Sequence, residues 1–213
     1  MRWALVGSGP GAPRFAREID ACDVVIRINC WPRGEAGDKW DVWASPFQDY
    51  MVEGVLREVG SERVPGELWF TIPEGLPDPC ADGRSWGRAR KLAADADNCQ
   101  VLRVAPELYS AVGRAVSDEA RRAAAPTTGF VALRMALEQG PDELVLAGFD
   151  SAVSSDRGRW GPWYGQRMYS ARWFSVHHDF PAEDRLIERW LRSREFCGHT
   201  FAVTRPVWLR CGA

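Results

Sequence analysis

The strongest constraint on how this chain folds is a rhythm in which short, continuously apolar segments alternate with longer stretches of helical spacing. Residues 3–6, 23–29, 41–44, 66–73, 101–104 and 143–149 read as strands, and residues 13–21, 50–59, 88–96, 106–123 and 129–139 as helices. The run Val24-Val25-Ile26-Arg27-Ile28 is apolar on nearly every position, as expected of a parallel strand covered on both faces. A further helix over 181–194 places Leu186, Ile187, Trp190 and Leu191 on one side, and 201–203 reads as a short last strand. The expectation is an α/β fold: a single-domain, Rossmann-like parallel sheet with helices on both faces, where ligands gather beyond the carboxyl ends of the strands.

The 213 residues show no compositional break, so one domain spanning 1–213 is expected. With 46% hydrophobic and 26% charged residues the chain can bury a core without staples. A formal charge of -2 supplies no basic field for a polyphosphate backbone, which argues against nucleic acid as a partner. Six cysteines stand without a C-x-x-C pair, so reduced thiols and a cytoplasmic location are expected. The start Arg2-Trp3-Ala4-Leu5-Val6-Gly7 reads as a strand entering a turn and not as a signal peptide, and no membrane-spanning segment is expected. Eleven tryptophans read mainly as core filling. The Pro/Gly/Asp-rich stretch 75–87 reads as an exposed loop, and the aromatic-rich 151–176 as a loop or lid over an acceptor.

Two turns carry the chemistry of anion binding. Gly7-Ser8-Gly9-Pro10-Gly11 follows the first strand and opens a helix, so its amides and the helix start face an anionic group. A nicotinamide site needs an acidic residue at the end of the second strand, but Arg27-Ile28-Asn29 stands there, and Asn29 offers an amide instead. Pro126-Thr127-Thr128-Gly129 opens a second helix; it reads either as an ordinary N-cap or as another nucleotide contact. Arg27 lies inside a strand and reads as an internal ion pair. Of three histidines, His177 and His178 precede a helix in His177-His178-Asp179-Phe180-Pro181-Ala182-Glu183, where an imidazole suits removal of a hydroxyl proton. Glu183 reads as an anchor for that segment. Asp95-Ala96-Asp97 matches a D-x-D pattern but reads as a solvated helix end, so no metal site is expected.

In order, these segments resemble the motifs of the sialyltransferases, glycosyltransferase family 29. Leu5-Val6-Gly7-Ser8-Gly9, Glu18-Ile19-Asp20, 23–29 and Asp41-Val42 are similar to the long motif; Pro126-Thr127-Thr128-Gly129 through Gly148-Phe149 to the short motif; and His178 through Glu183 to the very small motif. The resemblance implies a GT-A-like variant of the nucleotide-binding sheet and a metal-independent inverting glycosyltransferase without a cofactor. It implies a CMP-sugar donor, sialic acid or a related acid, and a glycan or small-molecule acceptor. Gly7, Ser8, Gly9, Asn29, Thr127, Thr128 and Gly129 would surround CMP, and His178 would be the catalytic base. His177, Glu183, Tyr164 and Tyr169 would give support, a tyrosine standing in for the family's aromatic motif. Ser8 replaces the usual asparagine, and Trp3-Ala4 and Gly140-Pro141 lack the family's disulfide. Alternatives are another nucleotide-dependent enzyme, such as a pyrophosphokinase or NAD(P) reductase, or a nucleotide-binding protein without turnover.

Overall fold

The structure, a computed structural model, describes residues 1–7, 9, 12–29, 36–59, 63–76, 84–96, 98–149, 178–192, 196–198 and 207–211. The first half comprises β1 (Arg2–Val6), a 3-10 turn over Ala12–Phe15, α1 (Ala16–Asp20), β2 (Val24–Ile28), β3 (Val42–Ser45), α2 (Asp49–Val59), β4 (Glu67–Phe70) and α3 (Ser85–Asp95). The second half comprises β5 (Gln100–Arg103), α4 (Pro106–Ala120), α5 (Thr128–Glu138), β6 (Glu143–Ala147), α6 (Phe180–Arg192), β7 (Phe196–Gly198) and β8 (Val207–Cys211).

The eight strands of the described residues form one sheet in the order β5-β4-β3-β2-β1-β6-β8-β7. The six strands β5 through β6 in that order are parallel, with Leu5 opposite both Ile26 and Leu146. The chain walks outward from β1 to β5 and then returns to lay β6 against the other side of β1. That reversal makes the β1/β6 boundary the topological switch point, the place in such sheets where ligands commonly bind.

Alternation along the strands divides the core into two layers. Trp3, Leu5, Ile26, Ile28, Ala44, Trp69, Leu144 and Leu146 pack with Val112 and Val116 of α4, Phe130 and Leu133 of α5, and Leu186 and Ile187 of α6. On the opposite face Ala4, Val6, Val25 and Val145 pack with Ile19 of α1, and Trp43, Leu68 and Phe70 with Val52, Val55 and Ala89 of α2 and α3. Because apolar side chains leave both faces, helices must cover both. The tryptophans Trp43 and Trp69 are fully buried, and Trp40 sits edge-on to Trp43 at 5.6 Å, so these indoles fill the core as expected.

Element boundaries differ from the sequence expectations in several places. The helix expected over 13–21 is a 3-10 turn followed by the five-residue α1, so the first glycine turn does not open directly into an α-helix. Two further differences fall at left-handed turns. The strand expected over 143–149 stops at Ala147, because Gly148 has φ 72°. The helix expected to reach 123 stops at Ala120, since Arg121 takes φ 55° and the N–H groups of Arg121 and Arg122 turn back to the carbonyls of Asp118 and Ser117. The helix expected from 88 begins at Ser85, shortening the loop before it. A larger difference is an antiparallel edge: β8 runs against β6, with Leu144 opposite Leu209, and β7 runs against β8. The strand expected over 201–203 lies outside the described residues. Among the described residues no helix is long and apolar enough to cross a membrane.

Candidate functional site

At the switch point the carboxyl ends of β1 and β6 lie in close contact through two glycines. Gly7 N–H donates to Ala147 O at 2.8 Å and Gly9 N–H to Gly148 O at 2.9 Å. A Cβ on Gly7 would stand 2.5 Å from Gly148 O, and a Cβ on Gly148 would meet Gly7 O and Ala12, so any side chain here would force the strands apart. Beside this contact lies the half-buried Phe149 ring. It also touches α5: a Cβ on Gly129 would come within 3.3 Å of Phe149 and 3.5 Å of Ile28. The two glycine-bearing turns singled out in the sequence thus meet across one aromatic ring.

Thr127 is the N-cap of α5, its Oγ1 accepting from Phe130 N–H at 3.1 Å. The helical ladder begins with Val131 N–H donating to Thr127 O, which leaves the N–H groups of Thr128 and Gly129 without intrahelical acceptors. These two amides, at the positive end of an 11-residue helix, suit an anionic group. The Thr127 hydroxyl is already engaged within the protein, 2.7 Å from Glu183 Oε2.

Glu183, in the first turn of α6, is buried, and its Oε1 accepts Thr127 N–H at 2.6 Å. Burial pushes its carboxyl up to about 8 against the opposing pull of the two Thr127 hydrogen bonds. Four residues earlier Asp179 caps α6, its Oδ1 accepting Ala182 N–H at 3.0 Å. His178, half-buried, stands just before this cap with Nδ1 2.8 Å from Ala125 O. A carbonyl only accepts, so Nδ1 carries the proton in this contact and the basic lone pair of the neutral ring is on Nε2. Glu183 thereby ties the α5 turn to the helix that follows His178.

Asn29 ends β2 in a left-handed conformation, φ 54°, tolerated by asparagine because of its short polar side chain. Its N–H donates to Ala44 O and its carbonyl accepts from Trp43 Nε1, both at 2.9 Å. Its Oδ1 is buried and has no hydrogen-bond partner among the described residues. Arg27 is fully buried on the face opposite α5. Its Nε donates to Lys39 O at 2.9 Å, and its Nη2 to Ala36 O and Gly37 O at 3.1 and 2.8 Å, with Asp20 Oδ1 at 3.9 Å. Burial lowers its pKa to about 10, so it remains a cation at neutral pH. It is an internal strut, as expected.

Ser8, His177, Tyr164, Tyr169 and the loop 151–176 lie outside the described residues. Sequence reasoning quoted Phe149 only as the end of a motif segment and gave it no role in the site, because its place between Gly7 and Gly129 depends on three distant segments converging. Nor did it find the segment between α4 and α5, where Ala124 N–H donates to Ser117 Oγ and Ser117 Oγ donates back to Ala124 O, each at 3.2 Å. No local pattern marks these residues, since each acts through a partner far along the chain.

The chain is an α/β protein with a Rossmann-like parallel sheet, and its candidate residues gather at the carboxyl ends of β1, β2 and β6. No protein-family model matches the chain, and no curated protein sequence matches it.

Proposed function

We propose that the protein is a metal-independent inverting glycosyltransferase that moves a sugar, sialic acid or a related acid, from a CMP donor to a hydroxyl acceptor. The observation that supports this reading is the union of the α5 N-terminus and the His178 turn through Glu183, with the start of α5 lying against Phe149 and Ile28 at the strand ends. Departure of CMP leaves new negative charge on its phosphate, and the N–H groups of Thr128 and Gly129 meet it as donors that need no reorganisation. Asn29 supplies a further polar contact to the nucleotide through its side-chain amide, whereas the N–H groups of Gly7 and Gly9 are taken by Ala147 O and Gly148 O and hold the turn against β6 instead.

The chemical step is a single displacement. The acceptor hydroxyl oxygen forms a bond to the anomeric carbon from the face opposite CMP. The bond between that carbon and the phosphate oxygen breaks, its electron pair leaving with CMP. The hydroxyl proton passes to His178 Nε2, and the configuration at carbon inverts. Base catalysis of this kind contributes roughly a hundred- to ten-thousandfold in rate.

The test is calorimetry with CMP, UMP, AMP, GMP and NAD in the presence of a chelator, joined to an assay of CMP release from CMP-N-acetylneuraminate over a panel of glycan acceptors. The reading expects CMP to bind best, and His178→Ala to keep that affinity while losing transfer. Tighter binding of NAD than of CMP, or full transfer by His178→Ala, overturns it.

A further inference from the structure

We propose that Arg122 is a positioning residue for the His178 imidazole, acting through the main chain and a neighbouring carboxylate without touching substrate. The proposal rests on the reading of His178 as base. Arg122 lies just past the left-handed residue that ends α4. Its Nη2 stands 3.2 Å from His178 O and 3.1 Å from Asp179 Oδ2. Asp179 divides its carboxylate between two tasks, Oδ2 on Arg122 and Oδ1 on the Ala182 N–H that starts α6. The guanidinium thus fixes the peptide that carries the imidazole.

The ring itself is held by the same short segment. Its Nδ1 meets Ala125 O, and the preceding residue, Ala124, is locked by both its N–H and its carbonyl to Ser117 Oγ. On the other side Thr127 is locked to Glu183. Main chain and ring of His178 are therefore both referenced to residues 122–125, and the geometry is over-determined as long as Arg122 holds its end. An imidazole in water favours the proton on Nε2, the tautomer that would remove the lone pair from the reacting nitrogen. The contact with Ala125 O enforces the opposite tautomer, and Arg122 keeps the ring within reach of that carbonyl. One nitrogen makes both Arg122 contacts, so a lysine can reproduce them in part.

Arg122→Met, Arg122→Lys, His178→Ala and the Arg122→Met/His178→Ala pair test this. In protein carrying isotope-labelled histidine, ring-nitrogen NMR reads the tautomer of His178 directly. The wild type and Arg122→Lys are expected in the Nδ1–H form, and Arg122→Met as a mixture with Nε2–H, with CMP affinity unchanged by calorimetry. With CMP-N-acetylneuraminate as donor and lactose as acceptor, Arg122→Met should lower kcat about ten- to hundredfold at unchanged KM. It should have no further effect once His178 is absent. A tautomer unchanged in Arg122→Met, or a wild-type kcat, overturns the role of Arg122 even where His178→Ala is inactive. Full activity in His178→Ala instead overturns the base assignment. Should Arg122→Met fail to fold, Arg122→Gln, which removes the guanidinium but keeps a polar head at this partly exposed position, decides in the same way: a tautomer shift supports the proposal and its absence overturns it.

Discussion

Both oxygens of the Glu183 carboxylate are held by one residue, Thr127: Oε1 accepts its N–H at 2.6 Å and Oε2 accepts its hydroxyl at 2.7 Å. This is the hydrogen-bonding pattern of a capping box divided between two helices. In the usual box the acid stands at the third helical position, but Phe130 occupies that place in α5 and the acid arrives from α6. The α5 N-terminus and the His178 turn are consequently one mechanical unit.

Removal of the hydroxyl separates this unit from simple helix capping. Thr127→Val is expected to lose the cap on Phe130 N–H and the donor to Glu183 together, lowering stability by about 2 kcal/mol. Thr127→Ser, which keeps both bonds, should stay within about 0.5 kcal/mol of wild type. Denaturant unfolding monitored by tryptophan fluorescence measures the difference. Equal effects of the two substitutions would show that the hydroxyl is not engaged.

Burial raises the Glu183 carboxyl from 4.5 to about 8. A carboxyl whose folded value lies above its unfolded value binds its proton more tightly in the native state. Its contribution to stability is therefore fully present below about 4.5 and is lost as pH rises through about 8. Asp184, raised to about 6 by burial and by Glu188, acts in the same direction over a lower range. Unfolding free energies measured between these limits should fall with rising pH in the wild type. In Glu183→Gln the decline between about 6 and 8 should vanish while that below 6 persists. An identical pH profile for the two proteins would falsify the shift.

What the sequence made legible and what it hid follow from the range of the interactions. Strands such as β2 and β6 are short apolar runs that parallel burial imposes residue by residue, so their positions could be read directly. The N-cap at Thr127 and the end of the second strand at Asn29 carry local signals in side-chain chemistry, but the left-handed backbone at Asn29 was not foreseen. β8 was not legible, because its antiparallel pairing with β6 depends on a partner over sixty residues away and not on a local period, and β7 in turn depends on β8. The same holds for Arg122 and Phe149, whose contacts reach His178 in one case and Gly7 with Gly129 in the other.

Arg27 was legible as internal, and its geometry explains why no other cation should replace it. Two different nitrogens of the planar guanidinium reach three carbonyls, Lys39 through Nε and Ala36 and Gly37 through Nη2. A lysine ammonium cannot span that arc, and it would bring a strongly hydrated charge into a fully buried position. Arg27→Lys is expected to lower stability by about 3 kcal/mol, comparable to breaking a buried ionic group. Thermal unfolding checks this; a change within about 0.5 kcal/mol, the range of neutral surface substitutions, would show the strut to be dispensable.

Gly129 tests whether the α5 N-terminus serves ligand binding. A methyl at this position would stand 3.3 Å from the Phe149 ring and 3.5 Å from Ile28, so the first turn of the helix must shift outward by a few tenths of an ångström. Alanine gains about 1 kcal/mol of helix propensity over glycine, which offsets the crowding, and the Gly129→Ala protein should fold with nearly wild-type stability. The N–H groups of Thr128 and Gly129 nevertheless move relative to Asn29 and the Gly7 turn, which are anchored to the sheet through Ala44 O and Ala147 O. CMP affinity is therefore expected to fall about tenfold, or 1.4 kcal/mol. Combining the change with Phe149→Leu, which shortens the opposing ring, should restore part of it. Calorimetric titration of the folded variants with CMP decides: unchanged affinity in Gly129→Ala means that the amides opening α5 do not hold the nucleotide.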